Sequence, residues 1–536
     1  MILEEKFKNE LKNLTAEVFK QGVLADLNFD INYPPQEQFG HYSTNLAMKA
    51  AGILKTSPSV IANKVIDAAK RKSFFKRNFS KIELAEPGFI NFYLAPEALF
   101  NVLKDIRRLK ENYAVLKIGK KQKIQVEFIS ANPTGEPTIG NARGAFLGDV
   151  LANVLATAGF KVQREYYINN ARSSKQIREL GKTFLGQGKI YLTPALKILI
   201  KELKKELKAK KIKDRAEAGL LLSQKVAGET KNFITKSLKI KFDRWFEEES
   251  LYQKNEIEEA LKLLRQTKYA YEKEGAVWLK TSAFGDEEDR VLVRSDGEPT
   301  YFLSDIAYHL NKYRRGFEKV IDIWGADHQS HVKRMKAALQ ILGINPAKLD
   351  VIITQMMNLK RSGQIMKLSK RKGVIFTLKE LVDLIGLDAS RYFFISVAAD
   401  SQMTFDLDIV KKQSEENPFY YFQYAYVRAG SILAKAGRKV KLGNLKVLEQ
   451  DEEMQLIYSL SKVPYFIQKI SADYQIQRLN QSAFEISKNF HNFYEKYRVI
   501  GEDKELTQAR LNLVLATRIV LKKLFDLMGI SAPKKM

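Results

Sequence analysis

Residues 130–149, which read SANPTGEPTIGNARGAFLGD, have the residue types of a loop that binds a phosphate group. An alternating strand is expected before them at 123–129, and an amphipathic helix follows from about 141 to 158. The start of such a helix offers unpaired N–H groups to an anion, and Gly140 lets a ligand approach the main chain closely. The stretch matches neither the GxGxxG dinucleotide pattern nor the GxxxxGK[ST] phosphate loop. Any nucleotide chemistry here must therefore use a different kind of loop.

A second candidate anion site is the basic loop at 366–373, which reads MKLSKRKG. It follows an apolar strand expected at 351–355, and it combines four basic residues with Ser369 and Gly373. Positive side chains in a loop with small residues can surround a phosphate. Because basic loops are common, this loop alone is weak evidence for a site.

Asp327, His328 and His331 follow a core strand expected at 319–324. They could be interpreted as metal ligands, but a metal site usually needs three or four ligands with supporting partners. Polar residues after a buried parallel strand are better placed to bind a substrate, because α/β sheets bind ligands at the carboxyl ends of their strands. We therefore expect no metal site, and we expect His41, which has no other ligand type spaced around it, to be a surface or capping residue.

The composition points to a globular protein with a polyanionic partner. The 536 residues include 45% hydrophobic and 11% aromatic side chains, enough for several cores. The formal net charge is +27, and a nucleic acid would offset the self-repulsion of such a chain. The absence of cysteine excludes disulfides and thiolate chemistry. No apolar run is long enough to span a membrane, and the start of the chain does not resemble a signal peptide, so we expect an intracellular, soluble protein.

The chain divides into segments with different patterns. We expect an α/β accessory domain at 1–95, a connector at 96–120, and a catalytic α/β domain at 121–395. A helical, basic insertion is expected within the catalytic domain at about 170–300. A linker at 396–416 leads to an up-and-down helical bundle at 417–536.

Two surface features admit both a structural and an RNA-binding interpretation. The lysine-rich segment at about 197–213 is either a solvated helix packed on one side or a surface that faces RNA. In the bundle, four tyrosines and Arg428 could stack on unpaired bases, although at least two of the tyrosines are expected to be core residues. The four are Tyr420, Tyr421, Tyr424 and Tyr426.

Together these segments resemble the arginyl-tRNA synthetases, which are class I aminoacyl-tRNA synthetases, from end to end. The tetrapeptide TIGN at 138–141 lies where class I enzymes carry their HIGH signature, and KLSKR at 367–371 resembles their KMSKS loop. The surrounding text is more specific, and includes SANPTG, RGAFLGD, FDRWFEEESLY, GDEEDRVLVRSDGEPTYFLSDIAYH, WGADH and NPFYYFQYAYVR. Near the start, FGHYSTNLAMKAA and EPGFINF resemble the accessory domain that contacts the outer corner of the tRNA.

The resemblance implies a multidomain α/β fold: a class I Rossmann-like parallel-sheet catalytic domain, an N-terminal α/β accessory domain and a C-terminal α-helical anticodon-binding bundle. It implies ATP-dependent activation of L-arginine to arginyl-adenylate, and transfer of the arginyl group to the 3′ adenosine of tRNA(Arg). ATP would arrive with Mg²⁺, and no cofactor would be tightly bound. A cytoplasmic monomer with no membrane contact is expected.

The resemblance also implies roles for individual residues. A guanidinium group needs carboxylates in bidentate geometry, and Tyr301 and Asp305 share one face if a helix begins there. The implied catalytic residues are Lys367, Ser369 and Lys370. The implied ATP-binding residues are Thr138, Gly140, Asn141, Lys367 and Lys370. The implied arginine-binding residues are Ser130, Asn132, Glu248, Tyr301, Asp305, Asp327 and His328, and the implied tRNA-binding residues are Asn45, Tyr424, Arg428 and Met536.

The sequence departs from the family pattern at both signature histidines, which are replaced by Thr138 and Asn141. A hydroxyl and a carboxamide can still form hydrogen bonds, although an imidazolium contribution is lost. Two alternatives remain open from the sequence: another class I synthetase, for which TIGN would suit a tryptophanyl-type enzyme, and a non-catalytic RNA-binding protein on a synthetase fold. The acidic pocket disfavours the first alternative, and the intact lysine loop disfavours the second.

Overall fold

The computed structural model describes residues 3–20, 22–34, 36–207, 212–355, 357–366, 376–410, 412, 416–437 and 440–536. The segment 367–375 lies outside these residues, and with it Lys367, Ser369 and Lys370 of the expected lysine loop. The roles of these three residues therefore stay predictions.

The first region is a four-stranded antiparallel sheet covered by helices. Its helices are α1 (Leu3–Phe19), α2 (Leu46–Leu54), α3 (Pro58–Ala69) and α4 (Ser73–Asn78), and its strands are β1 (Ile31–Asn32), β2 (Tyr42–Thr44), β3 (Phe79–Ala85) and β4 (Phe89–Leu94). The strand order is β1-β2-β4-β3. Helix α1 buries Phe7, Leu11 and Leu14 at helical spacing.

Helix α5 (Pro96–Leu109) connects this region to the rest of the chain. Its Arg107 donates to the main-chain oxygen of Val440 at 2.6 Å. His41 is likewise in a contact between regions, because its ring lies 4.4 Å from that of Tyr458 and its Nδ1 accepts from the Leu94 N–H at 3.0 Å. His41 therefore packs against the C-terminal region and is not simply a surface residue.

The central region alternates strands and helices. In its first half lie β5 (Lys123–Glu127), α6 (Ile139–Thr157), β6 (Lys161–Ile168), α7 (Lys175–Phe184), α8 (Pro194–Leu207), α9 (Arg215–Asn232), β7 (Arg244–Glu247), α10 (Glu249–Gln253), α11 (Glu256–Arg265), β8 (Ala270–Lys273), β9 (Ala276–Leu279) and β10 (Arg290–Val293). In its second half lie α12 (Tyr301–Arg314), β11 (Lys319–Gly325), α13 (Gln329–Ile341), β12 (Leu349–Thr354), β13 (Met357–Arg361), β14 (Gln364–Met366), α14 (Leu378–Ile385), α15 (Leu387–Phe394), β15 (Met403–Asp406) and α16 (Leu407–Val410).

The core of this region is a five-stranded sheet in the order β12-β11-β5-β6-β7, and every neighbouring pair is parallel. Strand β5, at the centre, is buried from Ile124 to Glu127. Strands buried on both faces of a parallel sheet are usually apolar throughout, and β5 departs from this by also burying Gln125 and Glu127. The sheet confirms the predicted Rossmann-like class.

The stretch 170–300, expected as a helical insertion, has a mixed structure. Helices α7, α8 and α9 enclose a small core of their own, in which Leu196 and Leu203 of α8 are buried while its lysines face solvent. Strand β7 then returns to the central sheet, and β8, β9 and β10 form a separate antiparallel sheet. The lysine-rich pattern therefore indicates only the helical part of this stretch. The strands that follow are short and have no strong hydrophobic periodicity.

The C-terminal region consists of α17 (Pro418–Lys435), α18 (Asp451–Ser461), α19 (Val463–Asp473), α20 (Arg478–Lys496) and α21 (Lys504–Met528). Its last helix, α21, docks on the signature helix α6. Arg391 of α15, which is 1% exposed, donates to Asp149 of α6 at 2.8 Å and to the main-chain oxygen of Met528 at 3.2 Å. One guanidinium therefore joins the bundle to the helix that begins at the signature.

Replacing Gly529 by alanine is expected to lower the free energy of unfolding by about 2 to 4 kcal/mol. Gly529 ends α21 with a φ of +65°, and a Cβ there would lie 2.3 Å from Nη1 of the fixed Arg391. Urea titration of both proteins measures the change. The control is Gly437→Ala, where φ is +58° but a Cβ would meet no described atom within 4 Å, so only backbone strain of about 1 kcal/mol is added. Equal losses in the two variants would show that the contact with Arg391 contributes nothing.

Candidate active site

The candidate site lies at the carboxyl edge of the parallel sheet. The loop 128–138 leaves β5 there and leads into α6, and the ends of β6, β7 and β11 surround it. Side chains that follow adjacent parallel strands meet at this edge, which is where α/β sheets bind ligands. The predicted residues Ser130, Asn132 and Thr138 all lie in this one loop.

The signature residues form the cap of α6. Thr138 is its N-cap, and Asn141 Oδ1 accepts from the Thr138 N–H at 2.9 Å, which completes a capping box. Gly140 is exposed beside them. The two residues that replace the signature histidines are thus engaged with each other, and they hold the first turn of the helix in place.

The signature is bonded to the chain that follows the lysine loop. The Ile139 N–H donates to the Phe376 oxygen at 3.1 Å, and the Leu378 N–H donates to the Pro137 oxygen at 3.0 Å. An isolated antiparallel bridge joins Thr138 to Thr377. The described end of the lysine loop therefore lies beside the signature, although the loop itself is outside the described residues.

An acidic pocket is formed by residues from three elements. Glu248 follows β7 and is 3% exposed, and Asp305 lies on α12 in the next layer. Burial, with the negative charge of Asp305 close by, raises the pKa of Glu248 to about 8. Burial and then the charges of Glu248 and Asp305 also raise the pKa of Tyr167, on β6. The structure thus brings the predicted Glu248 and Asp305 together.

Two oxygens of this pocket, Glu248 Oε2 and the Tyr167 hydroxyl, are buried without a hydrogen-bond partner among the described residues. A buried polar group of this kind costs free energy unless a ligand or a water molecule forms a hydrogen bond with it. Glu248 and Tyr301 also line a cavity of about 890 Å³ that continues past Ser174 to Arg178 and Arg294. Tyr301 is half exposed at the edge of this cavity, and its hydroxyl lies 3.2 Å from Ser174 Oγ. The acidic pocket therefore adjoins this larger cavity at Glu248.

The residues after β11 are arranged differently from a metal centre. The side chains of Asp327 and His328 are 83% and 60% exposed, and they lie 3.7 Å apart. His331 is turned toward the acidic pocket, with Nε2 2.8 Å from Asp305 Oδ2, although the angle is poor for a hydrogen bond. Within the described chain, no group of three or more His, Asp or Glu side chains could hold a metal ion. Asp327 and His328 follow β11 at the same edge of the sheet, but they do not line the cavity beside Glu248.

Ser130 is held by the protein. Its hydroxyl donates to Glu127 Oε1 at 2.8 Å and accepts from the Tyr167 N–H at 3.1 Å, and its φ is +40°. The exposed Asn132 uses its Oδ1 to accept from Asn169 at 2.8 Å. Ser130 can therefore only accept one more hydrogen bond, whereas the amide nitrogen of Asn132 remains a donor type.

The sequence did not reveal the charged network under this loop. Lys312 of α12, fully buried, donates to Glu127 at 2.6 Å and to Asp322 of β11 at 2.8 Å. His309 lies 2.9 Å from the same Asp322. Burial opposes a charge here, but Asp322 and Glu127 together raise the pKa of Lys312. Two carboxylates flanked by apolar residues, Glu127 and Asp322, were the available signals for this network.

The expected tRNA-binding residues lie elsewhere on the molecule. Arg428 stacks over the rings of Tyr424 and Tyr494 at 5.0 and 5.2 Å, on a half-buried face of the bundle. Tyr426 is buried against Phe525, whereas Tyr420 stacks on Tyr424. Met536 is exposed at the chain end, and Asn45 Oδ1 accepts from the Asp30 N–H at 2.9 Å before α2.

Three family models match the chain. Residues 1–94 match the arginyl tRNA synthetase N terminal domain, residues 196–394 match the catalytic domain of class I (R) tRNA synthetases, and residues 422–536 match the DALR anticodon binding domain. No described helix is both long and apolar enough to cross a membrane.

Full-length relatives match as well. The chain is 40% identical to the arginine–tRNA ligase of Thermotoga maritima, over 98% of this chain and 100% of that protein. It is 39% identical to the arginine–tRNA ligase of Acetivibrio thermocellus, over 100% of this chain and 99% of the relative. The fold is similar to the structure of the Thermus thermophilus arginyl-tRNA synthetase, with a TM-score of 0.78 and 20% identity. The match covers 98% of this chain and 99% of the Thermus thermophilus chain.

Proposed function

The chain belongs to the class I arginyl-tRNA synthetases, and we propose that the loop 128–138, the lysine loop and the acidic pocket form its catalytic centre. The chain is an ATP-dependent ligase that joins arginine to tRNA. The observation that carries the residue assignment is the pair of buried, unpartnered oxygens of Glu248 and Tyr167 beside Asp305. A guanidinium group offers five N–H donors and one positive charge. Its N–H groups would donate to these two oxygens, and its charge would lie between the carboxylates of Glu248 and Asp305.

The amino-acid end of the substrate would meet Ser130 and Asn132. Because the Ser130 hydroxyl already donates to Glu127, it can accept from the α-ammonium group but cannot donate to the carboxylate. The amide nitrogen of Asn132 can donate to the α-carboxylate. Tyr301 would cover the guanidinium at the edge of the pocket, with Asp327 and His328 at the rim. These assignments orient the carboxylate toward the start of α6.

The nucleotide would bind at the start of α6. The capping box formed by Thr138 and Asn141 fixes this helix end, whose N–H groups favour negative charge. The exposed Gly140 leaves room for the adenine ring beside the main chain. Lys367 and Lys370 would neutralise the β- and γ-phosphates, with help from Ser369. Mg²⁺ would enter as part of the ATP complex.

Adenylate formation needs no covalent enzyme nucleophile. A carboxylate oxygen of arginine attacks the α-phosphorus, the bond between the α-phosphorus and the bridging oxygen breaks, and pyrophosphate leaves with the electron pair. In the second step, the 2′-hydroxyl oxygen of the terminal adenosine attacks the arginyl carbonyl carbon and its proton passes to solvent. The bond from that carbon to the phosphate oxygen breaks, and AMP leaves with the electron pair. Positioning and charge stabilisation therefore supply the catalysis.

The tRNA would lie across the accessory domain and the bundle. Asn45 would contact it on the first, and Tyr424, Arg428 and Met536 on the second, where a stacked arginine and tyrosine suit unpaired bases. The proposal includes a monomer in the cytoplasm, where tRNA charging supplies translation.

Pyrophosphate exchange with each amino acid, run with and without tRNA, tests the proposed centre. Exchange that depends on arginine, and that increases when tRNA is added, supports it. Exchange that depends on another amino acid, or none with arginine in either condition, would contradict the assignment of the acidic pocket.

Arginine affinity is expected to rise with pH up to about pH 8. Free Glu248 carries a proton below its pKa of about 8, and a bound guanidinium favours the carboxylate, so binding releases this proton. The dissociation constant should therefore fall by up to about tenfold per pH unit between about pH 6 and pH 8, and then level off. Calorimetric titration in buffers of different ionisation enthalpy measures both the affinity and the proton.

Glu248→Gln should remove this pH dependence, because no proton is left to release. The control is Glu247→Gln, one residue earlier on the exposed side of β7, which should keep it. A dissociation constant that does not change over this range in the unmodified protein would remove Glu248 from the guanidinium site.

A further inference from the structure

Arg143 lies in the second turn of α6, five residues after the N-cap Thr138, and its side chain is 2% exposed. Its guanidinium donates to the main-chain oxygens of Gln355 at 3.1 Å and Ser401 at 2.7 Å, and to that of Ala398. Within the described chain, all of its hydrogen bonds go to main-chain oxygens. The proposed chemistry gives this arginine no task.

The three acceptors share one place in the fold. Gln355 lies directly after β12 on the way into β13, and residues 398 and 401 lead into β15. Strand β15 pairs in parallel with β13, and β13 pairs with β14, which ends where the lysine loop begins. The Gln355 N–H also donates to the Ala399 oxygen at 3.0 Å. Arg143 therefore fastens α6 to the base of the hairpin from which the lysine loop extends.

The other end of the lysine loop is fastened to the same helix. The Phe376 oxygen accepts from the Ile139 N–H at 3.1 Å. Both described flanks of the loop are thus held to the first two turns of α6, one by main-chain bonds and the other through Arg143. A planar guanidinium can serve three separate carbonyls, whereas a lysine has a single nitrogen with no fixed fork.

We propose that Arg143 is a positioning residue for adenylate formation, which sets the distance between the start of α6 and the hairpin that leads into the lysine loop. This inference rests on the proposed roles of the signature and the lysine loop. The bond from the α-phosphorus to pyrophosphate breaks between these two elements, so their separation controls the first step. In the second step, AMP leaves from the arginyl group and no pyrophosphate is present, so the hairpin is no longer required.

Arg143→Lys tests the proposal by separating the two steps. The rate of arginine-dependent pyrophosphate exchange, measured with tRNA present, should fall about tenfold, less than the roughly 100-fold loss for a 1 Å misplacement. The KM values for ATP and arginine should change by less than about threefold, because ground-state contacts are kept. Transfer to tRNA from supplied arginyl-adenylate should stay within about twofold. The ratio of the two rates does not depend on how much of the preparation is folded.

The matched control is Arg107→Lys, since Arg107 of α5 also donates to a main-chain oxygen of another region, at the contact with the C-terminal region. It should leave both rates within about twofold. Equal loss of exchange and transfer in Arg143→Lys, unchanged exchange, or the same step-specific loss in Arg107→Lys would each overturn the proposal. A Lys370→Ala protein measured in parallel separates this result from a failure of the proposed catalytic centre, because that variant tests the lysine loop without Arg143.

Discussion

Replacing Lys370 by alanine is expected to lower the rate of tRNA arginylation at least ~100-fold, as for the loss of one charge-stabilising group in an active site. The leaving pyrophosphate gains negative charge as its bond to the α-phosphorus breaks. Lys370 would meet that charge, while the signature end of α6 would hold the rest of the nucleotide. Rapid quench of arginyl-tRNA formation, with saturating ATP and arginine, measures the effect.

Lys372→Ala is the matched control, because it removes an equal charge two residues further along the same basic loop but outside KLSKR. It should keep the rate within about threefold. Near-normal turnover of a folded Lys370→Ala protein would contradict the catalytic role of the loop. A similar loss in both variants would indicate that the net charge of the loop, and not one lysine, promotes the reaction.

The sequence predicted the main features of the catalytic fold because its patterns are local. The apolar strand before the signature, the helix after it and β6 are all visible as periodic runs, and β6 spans Lys161–Ile168 as expected. Tyr301 and Asp305 share a helix because α12 begins at Tyr301. The segment SDGE at 295–298 has the residue types of a hairpin turn, but β10 precedes it and α12 follows it, and the turn is closed by an isolated bridge from Val293 to Pro299.

Contacts between distant segments could not be predicted in this way. Lys312 meets Glu127 across 185 positions, and Arg143 meets Ser401 across 258, so neither contact leaves a periodic trace. The hydrogen bonds from Arg391 to Asp149 and Met528 also join distant segments, and they leave no periodic trace either. The residues of the candidate site could be predicted from their resemblance to family motifs. The residues that hold them in place became visible only in the structure.

The replaced signature histidines have a structural explanation that the sequence lacked. Thr138 and Asn141 are residue types preferred at and near a helix start, and both the N–H and the hydroxyl of Thr138 donate to Asn141 Oδ1 at the start of α6. This arrangement keeps the helix end in place without an imidazole. It does not restore a positive charge there, so we expect a larger share of the charge stabilisation to come from the proposed lysine loop.

Replacing Asp305 by asparagine is expected to raise the KM for arginine about 30-fold, because losing one partner of a charge-paired group costs about 2 kcal/mol at the lower end of the observed range. The lower end applies because the Asp305 side chain is 32% exposed. The KM for ATP should change by less than about threefold, since the nucleotide would bind on the other side of the loop 128–138. Steady-state exchange kinetics with each substrate varied in turn measure both constants.

The control is Glu287→Gln, which removes an exposed carboxylate that lies 3.5 Å from Lys333. It should leave both constants unchanged, because an exposed ion pair contributes at most about 1 kcal/mol and this one is outside the pocket. Equal increases in the two KM values for Asp305→Asn would argue against a guanidinium role and favour a general effect on the site. A selective increase would place the positive end of arginine between Asp305 and Glu248, where burial and then the charge of Asp305 keep a proton on Glu248 near neutral pH.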